Sequence, residues 1–135
     1  MGWRRKKRIL LVDDNRDIQN VLLRMLHHMG FDVALAGDGG EALAAFMESS
    51  FDLVVTDLQM PIMDGSKLAQ LVKERSPNTP VILLTGTDRE TVWKKVIRGS
   101  VDSIIFKPFK LNDFQSTVQG VLAPGEAEHG SLGAG

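Results

Sequence analysis

The chain has 135 residues, 43% hydrophobic and 24% charged, with a formal net charge of -1. This composition suits one globular domain with one core and excludes a disordered chain, while the near-neutral balance gives no electrostatic reason to expect nucleic acid or an anionic membrane as partner. Absence of cysteine rules out disulfides, thiolate metal sites and thiol catalysis, and no apolar run approaches the roughly 18 residues of a membrane span, so a cytoplasmic setting is expected.

Residues 1–7 are a basic lead-in that continues to Arg8, read as a solvated approach to the first strand rather than a nucleic-acid or targeting patch. Residues 9–12 are four apolar residues in a row. The run is too short for a signal-peptide core and reads as a buried parallel strand. Asp13-Asp14-Asn15 stops it, and Asn15 can cap the next helix. Ile18, Val21, Leu22, Met25, Leu26 and Met29 keep helical spacing, and Gly30 closes the helix. A second strand is expected over 31–36, a turn over 37–40, and a short helix over 41–48 with Ala42, Ala45 and Phe46 inward.

The third strand, 51–56, ends abruptly at Asp57, and the chain turns through Pro61 and Asp64-Gly65 into a helix that stops before Ser76-Pro77. Pro80 leads into a fourth strand over 81–84. Thr87 or Asp88 can cap a fourth helix over 89–98. Residues 103–106 form the fifth strand, and a last helix runs from about 112 to 122 with Phe114, Val118, Val121 and Leu122 on one side. Residues 123–135 lack periodicity and read as a flexible tail, a linker or an expression-derived end, leaving 8–122 as the folded domain. Strict alternation of five strands with five helices argues a doubly wound parallel α/β sheet. In such sheets ligands bind beyond the C-terminal strand ends.

The residues just past each strand are therefore the ones to weigh: Asp13 and Asp14 after the first, Asp57 at the end of the third, Thr85 after the fourth, Lys107 after the fifth. Clustered carboxylates repel and favour a hard divalent cation, and a site that keeps several waters favours Mg²⁺. A carboxylate can act as a nucleophile toward phosphorus, forming an aspartyl phosphate. Lys107 can neutralise phosphoryl oxygens as a point charge, and Thr85 can donate a hydrogen bond to one. The same residues admit quieter readings: Asp13-Asp14 as a helix-capping pair, Lys107 as a surface lysine, Thr85 as a strand residue. Trp93 reads as an exposed partner anchor or as a half-buried packing residue, and Met60 and Met63 as loop packing. His27 and His28 are expected on the exposed side of the first helix; with His129 they show no ligand spacing toward the acids.

Val12-Asp13-Asp14, the run from Asp57 through Met60-Pro61-Ile62-Met63-Asp64-Gly65, Leu84-Thr85 and Lys107-Pro108-Phe109 occur in order at the right strand ends. In these motifs the chain resembles the receiver domain of bacterial two-component response regulators, the CheY-like superfamily, over about residues 8–122. The resemblance implies a flavodoxin-like fold with sheet order 2-1-3-4-5. It implies that Asp57 accepts a phosphoryl group from a sensor histidine kinase or phosphotransfer protein. Mg²⁺ would be held by Asp14, Asp57 and the backbone carbonyl of Gln59, with Asp13 acting through water. Lys107 and Thr85 would contact the phosphoryl group. The face made by the fourth helix, fifth strand and fifth helix would then change its preference for an output domain or a second copy. Such a domain is not a conventional enzyme, though it catalyses its own phosphorylation and dephosphorylation.

Two positions depart from the family pattern. The aromatic switch position, three residues before Lys107, is Ile104, and Gly86 stands where alanine is usual. Ile104 keeps a degenerate receiver, acting only as a docking module, among the readings. An aspartyl-phosphate phosphohydrolase of the haloacid-dehalogenase type is disfavoured by Gln59, where those enzymes carry a second aspartate. A nucleotide-binding domain is disfavoured because Asp13-Asp14-Asn15 replaces a glycine-rich loop.

Overall fold

Five parallel strands make one sheet in the order β2-β1-β3-β4-β5. The computed structural model describes residues 5–97 and 99–123; residues 1–4 of the basic lead-in, Arg98 at the end of the expected fourth helix, and the tail from 124 with His129 lie outside them. In chain order the elements are β1 (Arg8–Val12), α1 (Arg16–His28), β2 (Asp32–Ala36), α2 (Gly39–Glu48), β3 (Leu53–Asp57), α3 (Gly65–Arg75), β4 (Val81–Thr85), α4 (Arg89–Lys95), β5 (Ser103–Phe106) and α5 (Leu111–Leu122).

Successive strand side chains point to opposite faces, so β1 feeds two cores. Ile9 and Leu11 pack with Leu22 and Leu26 of α1 and Phe114 and Val118 of α5. Leu10 and Val12 pack with Ala42 and Phe46 of α2 and Leu68 and Val72 of α3. A smaller cluster, Leu58, Leu83 and Val92, seats α4. Both faces are covered, which is why the strands read as unbroken apolar runs.

Helix α1 is capped as expected: the Asn15 side chain accepts from the Ile18 N–H. Gly30 lies just past its end at φ +95°, where glycine carries no Cβ penalty. Gly30 N–H donates to the His27 carbonyl and Phe31 N–H to Leu26, the paired bonds of a Schellman ending.

Four expectations need correction. Val21 follows the apolar spacing but is 48% exposed, whereas Gln19 is buried. Helix α2 begins at Gly39, inside the expected turn, because the Asp38 side chain caps Glu41 N–H while Glu41 Oε1 accepts from Gly37 N–H. Strand β3 is shifted to Leu53–Asp57, since Phe51 leaves the ladder to stack on Phe46 beneath the Arg8 guanidinium. Helix α4 stops at Lys95, short of the expected 98: Val96 is already extended, and Ser100 closes a separate turn onto the Ile97 carbonyl.

The loop after β3 is tightly built. Met63 N–H donates to the Pro61 carbonyl across Ile62, which holds φ +73° and is 82% exposed. That γ-turn is a strained one for a β-branched residue. Met60 and Met63 pack against the α2–α3 core, as expected of loop-packing residues.

Candidate functional site

Because all strands are parallel, their C-terminal ends share one edge of the sheet. The ladder pairs Val12 with Thr56 and Asp57 with Leu84. Asp13, one residue past β1, therefore stands level with Asp57, the last residue of β3. Carboxylate oxygens of Asp13, Asp14 and Asp57 all lie within 4.8 Å of one another. Lys107, just past β5, places Nζ 3.1 Å from Asp57 Oδ1.

These groups are unequally exposed. Asp13 is 2% and Asp57 8% exposed, while Asp14 is open to solvent. Asp13 Oδ1 accepts from Asn15 N–H at 2.9 Å, but Oδ2 is buried with no hydrogen-bond partner among the described residues. Burial pushes the Asp13 carboxyl above its ordinary pKa, opposed by the Asn15 N–H and reinforced by the charge of Asp57. Burial likewise raises Asp57, against the pull of the Lys107 ammonium that touches it. Desolvation thus outweighs pairing at both acids.

An orphaned buried carboxylate oxygen beside two further carboxylates is costly alone. It fits a hard divalent cation, which takes oxygen ligands of this kind. The donor set contains no sulfur and no imidazole, which disfavours the softer transition metals.

A carboxyl whose folded pKa is raised contributes stability present below its ordinary value of 3.8 and lost as pH rises through the raised value. At neutral pH and without metal, Asp13 therefore destabilises the fold. Asp13→Asn should be more stable than wild type by about 0.5–2 kcal/mol in urea titrations at pH 7 with chelator. The advantage should shrink as the pH is lowered through the raised pKa.

Of the residues expected at the site, the structure brings Asp13, Asp14, Asp57 and Lys107 together. Thr85 is 1% exposed at the end of β4, and its Oγ1 accepts from Thr87 N–H in the loop rather than meeting Asp57. Gln59 lies two residues past Asp57 on the exposed part of the loop. Ile104 is half-buried against the α4 cluster. With Trp93, Val96, Val101 and Phe106 it lines a groove of about 490 Å³ between α4 and β5. Trp93 is 66% exposed there, so it is not a packing residue. His27 and His28 are exposed on α1, as expected.

One residue at the site's edge lies outside the sequence expectations. The Gln19 side-chain Nε2 donates to the Asp13 carbonyl at 3.3 Å and to the Ala36 carbonyl at 3.0 Å. Its spacing carries the signal: Gln19 stands three residues before Leu22 and seven before Leu26, on the buried stripe of α1.

A family model described as the response regulator receiver domain matches residues 9–119. Transcriptional regulatory protein TrcR of Mycobacterium tuberculosis is 35% identical over 117 residues, covering 85% of this chain and 45% of that protein. The DNA-binding response regulator MtrA of Mycolicibacterium smegmatis is 36% identical over 124 residues, covering 91% of this chain and 54% of MtrA. The chain thus spans about half the length of these curated relatives. Among solved structures, a CheY-like receiver domain protein from Methanospirillum hungatei superposes with a TM-score of 0.85 at 28% identity, covering 92% of this chain and 99% of its own. Response regulator TrrA from Thermotoga maritima, in complex with Mg(2+)-BeF, gives 0.76 at 30% identity, covering 86% and 99%.

Proposed function

This chain belongs to the response regulator receiver domain family, and we propose that Asp57 is its phosphoacceptor, working with Mg²⁺ and Lys107 as a two-component signalling switch. The observation that carries this reading is the convergence of three carboxylates within 4.8 Å and an ammonium 3.1 Å from one of them.

An oxygen of the Asp57 carboxylate attacks the phosphorus of a phosphohistidine on a partner kinase or phosphotransfer protein. The new O–P bond forms as the P–N bond breaks, and the imidazole leaves with the electron pair and takes up a proton. Lys107, already paired with Asp57, follows the charge onto the phosphoryl oxygens. The Thr85 hydroxyl accepts from Thr87 and keeps its own hydrogen to donate to the phosphoryl group. Asp14, Asp57 and the Gln59 carbonyl would hold Mg²⁺ directly, and Asp13 would hold it through water. Bound there, Mg²⁺ supplies positive charge that offsets repulsion between the carboxylates and the incoming group. The complex of the similar TrrA with Mg(2+)-BeF supports a Mg²⁺ site of this general kind. Attack of water on phosphorus later releases inorganic phosphate and restores the carboxylate.

The added charge is read out at the face of α4, β5 and α5, toward an output module or a second copy of the chain. Direct binding of nucleic acid by this domain is not part of the proposal. Among the described residues no helix is long and apolar enough to cross a membrane, and a cytoplasmic setting completes the reading.

Incubation with Mg²⁺ and acetyl phosphate tests it. Mass spectrometry should find one phosphoryl adduct, stable in acid and labile in base; absence of an adduct overturns the assignment.

The switch is separable from the chemistry. Ile104 lies on the α4–β5 groove, away from the acid cluster. In a Trp3→Phe background, Ile104→Tyr should leave adduct yield within about twofold of the parent, as expected for distant sites. It should alter the change in Trp93 emission on adding Mg²⁺ and beryllofluoride. Loss of the adduct would show that site and switch are one unit.

A further inference from the structure

Gln19 ties the metal-site loop to the sheet. The residue is 8% exposed, and its side-chain amide nitrogen bridges two main-chain carbonyls, those of Asp13 and Ala36. Asp13 N–H also donates to the Ala36 carbonyl at 3.1 Å. The first residue past β1 is thereby fastened to the end of β2 from two directions, once through its own backbone and once through α1.

That fastening matters because little else orients Asp13. Its Oδ1 is occupied by Asn15 N–H, and its Oδ2 has no partner among the described residues. The aim of Oδ2 therefore depends on the main chain of residue 13. Mg²⁺ demands near-ideal octahedral geometry and tolerates displaced ligands, or displaced ligand waters, poorly.

Resting on the Mg²⁺-dependent phosphorylation proposed above, we propose that Gln19 is a positioning residue for the metal site: its paired hydrogen bonds hold the Asp13 main chain where the acid pair matches Mg²⁺. Partners of this outer kind commonly set metal affinity by about 10–100-fold. Gln19 touches neither metal nor phosphoryl group, so its effect appears in affinity before it appears in chemistry.

The test titrates Mg²⁺ alone into the full chain by calorimetry, with melting temperature measured in chelator. Gln19→Met keeps the length of the side chain and removes its donors; it should weaken Mg²⁺ binding about tenfold. Gln19→Asn keeps the amide, lacks the reach to bridge both carbonyls, and serves as a second variant should the first fail to fold. Val118→Ala, in the same core but remote from the acids, is the control: it should lower the melting temperature and leave Mg²⁺ affinity unchanged. Affinity within about twofold of wild type in a folded Gln19 variant overturns the proposal. Equal weakening by Val118→Ala overturns it too, since the effect would then be general destabilisation. Failure of wild type to bind Mg²⁺ would instead remove the functional reading on which the proposal rests.

Discussion

Asp57→Asn should abolish phosphorylation by acetyl phosphate, with a loss of at least about a hundredfold in adduct yield, while the fold persists. An amide has no anionic oxygen to attack phosphorus, so the covalent step has no nucleophile. The neighbouring acids are poor substitutes. Asp13 is buried, with one oxygen engaged by Asn15 N–H and the other enclosed. Asp14 is exposed and lacks the lysine contact that marks Asp57. Folding should survive because burial raises the Asp57 pKa, so the ionised carboxylate costs the fold more than an exposed one would. Removing that charge offsets the lost pairing with Lys107, and the urea midpoint in chelator should match or exceed that of wild type. Intact-mass and peptide analysis of both proteins, with acid and base treatment, decides the matter. An acid-stable, base-labile adduct on Asp13 or Asp14 in the variant would move the nucleophile elsewhere.

Much of this site is visible in one dimension because of how parallel sheets bury their strands. An unbroken apolar run such as Leu53 to Val55 gives way to polar residues as the strand reaches its C-terminal end, and in a parallel sheet those ends all lie at the same edge. Asp13, Asp57, Thr85 and Lys107 are legible for that reason alone. What is less legible depends on side chains acting outside their periodicity. Gln19 occupies an apolar position of α1 with a polar group, satisfied by carbonyls that belong to two different strand ends. Asp38 starts α2 through a run of glycines that by themselves signal a turn. Val21 fits the helical pattern, yet faces an apolar groove with Pro108 and Leu111 rather than the core. The early end of α4 is followed by a local turn in which Ser100 Oγ donates to the Ile97 carbonyl, a side-chain contact that helix propensity does not record. The hydroxyl of Thr85 has a local partner in Thr87 that spacing cannot disclose.

The largest effect on stability is expected at Gly65, and it links the fold to the nucleophile. A Cβ at that position would collide with the main-chain carbonyl oxygen of Asp57 and approach Leu83 Cδ1 to 2.9 Å. The leucine methyl could turn aside; the carbonyl cannot, because Asp57 is the last residue of a central strand and its oxygen also accepts from the Thr56 hydroxyl. Gly65 cannot retreat either. Its N–H donates to the Leu58 carbonyl at 2.7 Å, and Asp64 beside it caps α3 through Lys67 N–H and the Ser66 hydroxyl. Gly65→Ala must therefore displace either the end of β3 or the start of α3. It should cost about 3 kcal/mol or more in urea titrations, at the upper end of overpacking penalties. Because the displaced group is the backbone of Asp57, adduct yield should fall even under conditions where the variant is fully folded. Gly86→Ala is the matched comparison. Its Cβ would meet only Lys107 Cβ, at an ordinary contact distance of 4.0 Å. That variant should stay within about 0.5 kcal/mol of wild type and keep its adduct. Equal behaviour of the two variants would mean that the approach of α3 to Asp57 does not hold the nucleophile in place.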